Sequence, residues 1–137
     1  MEKSTIILML MLVYIMFTSI TKQLSENYHK QNPYLNEILD EVYECFPDSK
    51  RLRFYEGEKS YTLNKEKVFI CMKNKKDGNY YEKQVLLYVI LHEYTHSICP
   101  EIGHTKLFFE MFDEVIHEAI EKGLYDPDII VPDDYCE

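Results

Sequence analysis

The sequence predicts an α+β fold, in which a small antiparallel sheet packs on helices and a further apolar helix precedes the folded domain. Three observations predict it. Apolar residues recur at helical spacing in three separate segments. Three short segments with strand-like composition lie between the first and second of these. A single uncharged, apolar run occupies the N-terminus. With 137 residues in total, the chain suffices for one small domain once its terminal segments are set aside.

The N-terminal run predicts a membrane-spanning helix. Residues 4–21 carry no charged side chain, and Lys3 and Lys22 lie at the two ends. A helix of this length spans about 27 Å, which is just enough to cross the hydrocarbon core of a bilayer. We therefore expect residues 1–22 to be a single-pass membrane anchor, followed by a polar linker over residues 23–33. A cleaved signal peptide is the alternative, although no small-x-small cleavage site follows the run. Because lysines lie on both sides, the membrane orientation is not predicted.

The middle of the chain predicts one helix and three strands. Apolar residues at helical spacing indicate a helix over residues 34–46, which Pro47 ends. Residues 51–55, 60–63 and 67–72 are predicted to form short strands separated by polar turns.

Two longer helices follow. Residues 80–97 include a continuous apolar run, which is typical of a buried helix. Residues 105–122 place apolar side chains on one face, and Gly123 is the expected C-cap. We expect residues 34–123 to form the folded domain. Residues 124–137, which are acidic and contain prolines, are expected to form an extended tail.

The most specific motif lies in the first of these two helices, where residues 92–96 read His-Glu-Tyr-Thr-His. Positions four apart lie on the same face of a helix. His92 and His96 can therefore both offer ring nitrogens to one Zn²⁺, at about 2.0–2.1 Å. Glu93 lies one position further round the helix, where it can reach a metal-bound water and act as the general base. The spacing thus predicts a zinc site with Glu93 as its catalytic residue.

A catalytic zinc site takes three protein ligands, and His104 is the best candidate for the third. Pro100 ends the motif helix, because it disfavours helical geometry at the preceding residue and has no N–H group. Gly103 then allows a tight reversal of the chain, and His104 follows just before the next helix. The alternatives are three glutamates on that helix: Glu110, Glu114 and Glu118.

Four cysteines are spread along the chain: Cys45, Cys71, Cys99 and Cys136. Their wide spacings exclude a zinc ribbon. They would form two disulfides in an oxidising compartment, or remain reduced in the cytosol. Cys99 lies close to the motif but is expected to pack or pair rather than to bind metal. His29 and His117 are expected to be surface or structural residues.

The motif and its surroundings resemble the minimal gluzincin-like metallopeptidases of the WLM and SprT-like type. Those proteins share a helix bearing HExxH, a short loop, a third histidine often preceded by glycine, and an aromatic residue shortly after it. Here residues 92–96 are followed, after seven residues, by residues 104–108, which read His-Thr-Lys-Leu-Phe. The strand-like residues 67–72 and the polar turn before the helix are also similar. The resemblance covers roughly residues 61–120. The chain departs from the pattern by a cysteine and a proline in the loop, and nothing in it matches a DNA-binding extension.

The resemblance implies that His92, His96 and His104 bind zinc and that Glu93 is the catalytic acid/base. The expected function is a membrane-anchored, zinc-dependent metallopeptidase that hydrolyses peptide or protein substrates, with a zinc-bound water activated by Glu93. The alternative is a catalytically inactive, zinc-stabilised, membrane-tethered interaction domain. If the strand around residues 68–72 forms the sheet edge beside the metal, an extended substrate peptide could pair with it.

Composition limits the partners. The net charge is −9, and the basic residues are dispersed among more numerous acidic ones, so nucleic acid is not an expected partner. The abundance of Lys, Asn, Ile and Tyr, with few Ala, Gly and Arg, is typical of an AT-rich genome, such as that of a large DNA virus or a parasite. The membrane that residues 4–21 would cross is therefore expected to be a viral or host membrane. The oligomeric state is not predicted.

Overall fold

The computed structural model describes residues 2–30 and 32–137, with the side chains of residues 24–30 excluded. The chain divides into two compact units, Met1–Asn32 and Pro33–Glu137. The linker predicted over residues 23–33 and the side chain of His29 lie partly or wholly outside the described residues.

The first unit contains one long helix, α1 (Lys3–Lys30). Its segment Lys3–Gln23 is long and apolar enough to cross a membrane, by length and composition, and none of it is buried. A helix in the core of a soluble protein would bury such side chains, whereas a signal sequence near the N-terminus would meet the same criteria. The predicted apolar helix is therefore present as a candidate membrane span.

The second unit has the predicted α+β composition, and the fold class is confirmed. Its elements in chain order are α2 (Pro33–Cys45), a short 3₁₀ helix (Pro47–Arg51), β1 (Arg53–Glu56), β2 (Tyr61–Leu63), β3 (Lys67–Ile70), α3 (Lys83–Ile98) and α4 (Lys106–Glu121). Each element begins and ends within a few residues of the bounds that the sequence predicts, because the apolar periodicity and the flanking turn residues agree.

The sheet is mixed rather than antiparallel, which corrects the prediction. The strand order is β1-β3-β2, with β2 antiparallel and β1 parallel to β3. The turn between β2 and β3 has left-handed backbone at Asn64 (φ 53°) and Lys65 (φ 58°), as a tight hairpin turn requires. This hairpin places β2 on one side of β3, and β1 takes the other side. The strand that includes residues 68–70 is therefore central, and the suggestion that it forms the sheet edge was wrong.

Helix α3 lies at the centre of the domain, in contact with the sheet, α2 and α4. Its apolar residues from Val85 to Leu91 are buried on nearly all sides; Tyr88 is half-buried. A helix so surrounded cannot slide or rotate without disrupting the packing on several sides. The residues at its C-terminal end are thus held at fixed positions.

Residues 124–137, for which the sequence predicts an extended tail, belong to this same compact unit. Tyr125 is buried, and Ile129 and Val131 pack against the core. Cys136 forms a disulfide with Cys71, with Cα atoms 6.3 Å apart. The other two cysteines, Cys45 and Cys99, are free and buried. The chain thus has one disulfide, which matches neither the two-disulfide nor the fully reduced alternative.

Candidate metal centre

The motif helix ends as the sequence predicts. The last helical hydrogen bond runs from the Cys99 N–H to the Thr95 carbonyl (2.9 Å), and Cys99 itself is extended (φ −73°, ψ 128°). Pro100 explains this, since the residue before a proline is pushed out of the helical region. Gly103 has φ +86°, a value that favours glycine. The chain then enters α4, where the Thr105 side chain caps the N-terminus by accepting a hydrogen bond from the Phe108 N–H (3.3 Å).

This turn brings the third histidine onto the other two. The Nε2 atom of His104 lies 3.0 Å from Nε2 of His92 and 3.1 Å from Nε2 of His96. One ligand atom from each of the three residues lies within 4.8 Å of the others. His92 and His96 are half-buried, and His104 is exposed.

The three nitrogens suit a zinc ion. Three ligands at the usual Zn–N distance in a tetrahedral arrangement lie about 3.3 Å apart, close to the two spacings that involve His104. Imidazole is a preferred zinc donor, and three protein ligands leave a coordination position open. The residues present therefore fit a catalytic type of zinc site.

The surroundings of His92 and His96 also favour the metal-binding form of the ring. Burial, together with repulsion from His96 and His104, lowers the pKa of His92 to about 4. Burial and the neighbouring His104 lower the pKa of His96 as well. Both rings are thus neutral at physiological pH, which is the form that binds a metal.

Aromatic rings form the wall behind the histidines. Phe108, which is fully buried, stacks on the imidazole of His96, and the ring centroids are 4.1 Å apart. Phe108 and Phe112 also make edge-to-face contacts with His92, at centroid distances of 5.0 and 5.2 Å. The two phenylalanines are core residues, as expected from their helical spacing, and they also hold the imidazole rings in place.

Glu93 lies beside the histidines and is only 6% exposed. Its carboxylate accepts a hydrogen bond from the Thr62 hydroxyl at Oε2 (2.7 Å). Burial raises the pKa of Glu93, and the hydrogen bond from Thr62 partly offsets the increase. A carboxylate with a raised pKa beside a candidate metal site is suited to accept and release a proton.

These groups face a common open pocket of about 560 Å³. One side of the pocket is formed by the three histidines and Glu93, and the other by β2 and the turn after it, through Tyr61, Thr62 and Lys65. The loop before His104 contributes Ile102, which is 91% exposed. The strand that borders the pocket is therefore β2, an edge strand.

The other candidate ligands lie elsewhere. The group of three histidines includes none of the glutamates proposed as alternatives, which are exposed on α4. Glu110 is near Lys106, and Glu118 accepts a hydrogen bond from Lys122. Cys99 is buried, and its carbonyl accepts a hydrogen bond from the Lys65 ammonium (2.5 Å). His117 is exposed and contacts Glu121 (3.1 Å).

Sequence reasoning missed Thr62. One signal was present, because Thr62 is a polar residue between Tyr61 and Leu63 in a short strand. Alternation in a strand places it on the opposite face from its neighbours. In the structure those neighbours are exposed, whereas Thr62 is half-buried and directed at Glu93. A polar residue at an inward position requires a buried partner.

The sequence of the chain is similar to proteins of viruses, and its fold is similar to that of a solved structure. No protein-family model matches the chain. It is 42% identical over 87 residues to uncharacterized protein 136R of Invertebrate iridescent virus 6, covering 62% of this chain and 49% of that protein. It is 38% identical over 85 residues to uncharacterized protein 042R of Invertebrate iridescent virus 3, covering 62% and 54%. It is 32% identical over 111 residues to an uncharacterized protein of Acanthamoeba polyphaga mimivirus, covering 74% and 53%. The chain thus spans about half the length of the curated relatives it matches.

Among solved structures, the fold is similar to the crystal structure of Wss1 from Saccharomyces cerevisiae. The TM-score is 0.53 at 19% sequence identity, over 66% of this chain and 79% of that one. At this identity the similarity is one of fold. The chain therefore has a Wss1-like α+β fold with three clustered histidines and a buried glutamate at one pocket.

Proposed function

We propose that the protein is a membrane-anchored, zinc-dependent metallopeptidase that hydrolyses peptide bonds. The observation that carries the proposal is the meeting of three histidine nitrogens and one buried carboxylate at an open pocket. His92, His96 and His104 would hold the zinc ion, and Glu93 would be the acid/base. The fold shared with Wss1 supports the WLM-like resemblance that the motif and the third histidine carry.

When bound, zinc supplies Lewis-acid polarisation of a carbonyl group and lowers the pKa of coordinated water. The protein side chains supply proton transfer and orientation. Glu93 accepts a proton from the attacking water at one carboxylate oxygen and later delivers it to the leaving amine. Burial of Glu93 supports this role, because the raised pKa reduces the cost of carrying the proton between the two steps.

The edge strand β2 is suited to bind an extended peptide. It pairs with β3 on one side, and residues Tyr61 and Thr62 line the pocket on the other. An added strand would hydrogen-bond to the free edge and place a scissile carbonyl near the histidines. This assigns to β2 the role that the sequence suggested for residues 68–72.

The membrane part of the proposal relies on α1. The segment Lys3–Gln23 has the length and composition of a single span. A protease tethered in this way would act on peptide segments near the membrane that holds it.

The number of donors distinguishes the enzyme from the alternative, an inactive zinc-stabilised interaction domain. Structural zinc sites usually close with a fourth protein ligand. Here, among the described residues, three histidines form the group, and the pocket beside them is open. This supports a catalytic site.

The test uses the full-length chain purified in detergent, with zinc measured by elemental analysis and cleavage measured on fluorescently labelled casein. We expect about one zinc per wild-type chain, weaker zinc binding in His104→Ala, and unchanged zinc but no cleavage in Glu93→Gln. His117→Ala, which changes an exposed histidine of α4 outside the cluster, is the matched control and should bind zinc normally. A folded wild-type chain without zinc would refute the proposal. If the wild type and Glu93→Gln both bind zinc and neither cleaves casein, the result would favour the interaction domain.

A further inference from the structure

We propose that Thr62 is a positioning residue, which fixes the orientation of the Glu93 carboxylate from the edge strand of the sheet. The inference depends on the proposed function, because it assigns a role within that same site. Its basis is the hydrogen bond from the Thr62 hydroxyl to Oε2 of Glu93, at 2.7 Å. The same hydroxyl lies 3.1 Å from the Glu93 backbone carbonyl oxygen.

The bond defines which carboxylate oxygen is used. A threonine hydroxyl has one proton to donate, and the shorter distance assigns it to Oε2. The terminal torsion of a glutamate is otherwise broad, so an unanchored carboxylate would sample many orientations. With Oε2 held by Thr62, the rotation of the carboxylate is restricted, and Oε1 is the oxygen that remains to accept the proton of the attacking water. Thr62 thereby contributes to catalysis without touching the reacting atoms.

Burial makes the bond necessary. Glu93 is 6% exposed, and a buried carboxylate without a hydrogen-bond donor is costly. Among the described residues, the side chain that donates to this carboxylate is that of Thr62. Tyr61 and Leu63, on either side of it, are both exposed. In β2 the polar residue Thr62 therefore points inward and its apolar neighbours point outward. A strand that only packed on the core would show the opposite arrangement.

The start of β2, the strand that carries Thr62, is held by contacts with the C-terminal segment. The Tyr135 hydroxyl donates to the Cys71 carbonyl (2.6 Å), so its proton is used there. In the 2.8 Å contact between Tyr135 and Ser60, the Ser60 hydroxyl must therefore be the donor. Ser60 also accepts a hydrogen bond from the Cys71 N–H (2.9 Å). Ser60 lies two positions before Thr62, and the Cys71–Cys136 disulfide adjoins this group. These contacts fix the start of β2, and with it the distance from Thr62 to Glu93.

Two matched variants test the role. Thr62→Val removes the hydroxyl and keeps the shape and the β-branched strand preference. Thr62→Ser keeps the hydroxyl. With full-length protein in detergent and labelled casein, we expect Thr62→Val to lower kcat by about tenfold to a hundredfold, with KM and zinc content unchanged. Thr62→Ser should restore most of the rate. A wild-type kcat in Thr62→Val would overturn the proposal, and so would failure of Thr62→Ser to recover the rate lost in Thr62→Val.

A second measurement separates this proposal from the proposed function. Crystal structures of the zinc-loaded wild type and of both variants report the carboxylate orientation directly, whether or not casein is cleaved. We expect one orientation in the wild type and Thr62→Ser, and a rotated or multiply oriented carboxylate in Thr62→Val. An unchanged single orientation in Thr62→Val would refute the positioning role even in an active enzyme. If the valine variant does not fold, Thr62→Ala replaces it. If the wild type cleaves no peptide but shows the expected orientations, the proposed function fails and the positioning of Glu93 stands.

Discussion

The ring of Phe108 stacks on the imidazole of His96, with centroids 4.1 Å apart and an angle of 20° between the planes. Phe108 is fully buried and lies in the first turn of α4, so a single side chain links the core of the domain to the candidate metal ligands. Core packing and ligand orientation are therefore coupled at this residue. The coupling gives a first prediction.

Phe108→Ala should lower the free energy of unfolding by about 3–5 kcal/mol and weaken zinc binding at the same time. The cavity destabilises the core, and His96 loses the surface that orients it. Phe109→Ala is the matched control, because Phe109 is 52% exposed and its ring lies 6.0 Å from that of His104. Urea unfolding and competitive zinc titration measure both effects. Equal losses in the two variants would contradict the coupling.

Gly103 provides a second prediction, about how His104 is placed. Its φ of +86° is in the left-handed region, and a Cβ added there would meet nothing within 4 Å. Gly103→Ala should therefore cost about 1 kcal/mol through backbone strain alone. Gly103→Asn should cost less, because asparagine tolerates this conformation better. We expect zinc affinity, measured by competition with a chelator, to be highest in the wild type, lower in Gly103→Asn and lowest in Gly103→Ala. If the two variants bind zinc equally well, the backbone conformation does not determine where His104 lies.

The cysteines give a third prediction. Thiol titration of the denatured, unreduced chain should detect two thiols, Cys45 and Cys99, because Cys71 and Cys136 are paired. The Cys71→Ser/Cys136→Ser double variant should lose about 2–4 kcal/mol of unfolding free energy, measured by urea unfolding. Both results should appear with protein made in an oxidising compartment. Detection of four thiols in that material would show that the pair does not form.

Sequence alone predicted the parts of the site that depend on local chain geometry. The closeness of His92 and His96 follows from the four-residue helical spacing. The break at Pro100 and the turn at Gly103 favoured His104 as the third member over three glutamates of α4, and the structure brings His104 onto the other two. The helices and strands were predictable for the same reason, since periodicity and breakers are local signals.

The parts that were missed depend on how distant segments pair. The parallel alignment of β1 with β3 is not encoded in either strand by itself, because both are short and have similar composition. Once β3 is central, β2 becomes the edge strand and Thr62 meets Glu93, 31 residues away. The Cys71–Cys136 disulfide joins residues 65 apart. No spacing rule selects that pairing from the available connectivities.

Tyr135 gives a fourth prediction, concerning alkaline pH. Burial raises the pKa of Tyr135 from 10.0 to about 12. A group with a raised folded-state pKa stabilises the fold fully below its unfolded pKa, and this contribution is lost as the pH rises. The unfolding free energy should therefore fall between pH 10 and 12, with about 1–2 kcal/mol of the fall due to Tyr135, after allowance for its partial exposure. Urea unfolding at pH 9 and pH 11 checks this. In Tyr135→Phe the unfolding free energy should fall less between these two pH values. A fall equal to that of the wild type would assign the effect to other tyrosines.

The last prediction concerns α1. If Lys3–Gln23 spans a membrane, the full-length protein should stay in the membrane pellet after alkaline carbonate extraction, and its intact mass should include the N-terminal residues. Leu10→Lys/Val13→Lys places two charges near the middle of the span, at a cost of about 2.5–3.5 kcal/mol each, and should release the protein into the supernatant. Leu10→Ile/Val13→Ile keeps the segment apolar and should remain in the pellet. A wild-type protein found in the supernatant, with a mass that lacks the first 20 or so residues expected of a signal peptide, would instead identify the segment as a cleaved signal.

The Cys71–Cys136 disulfide gives this experiment a second readout, because a tethered domain on the oxidising side would be recovered with that pair oxidised and one on the cytosolic side with it reduced.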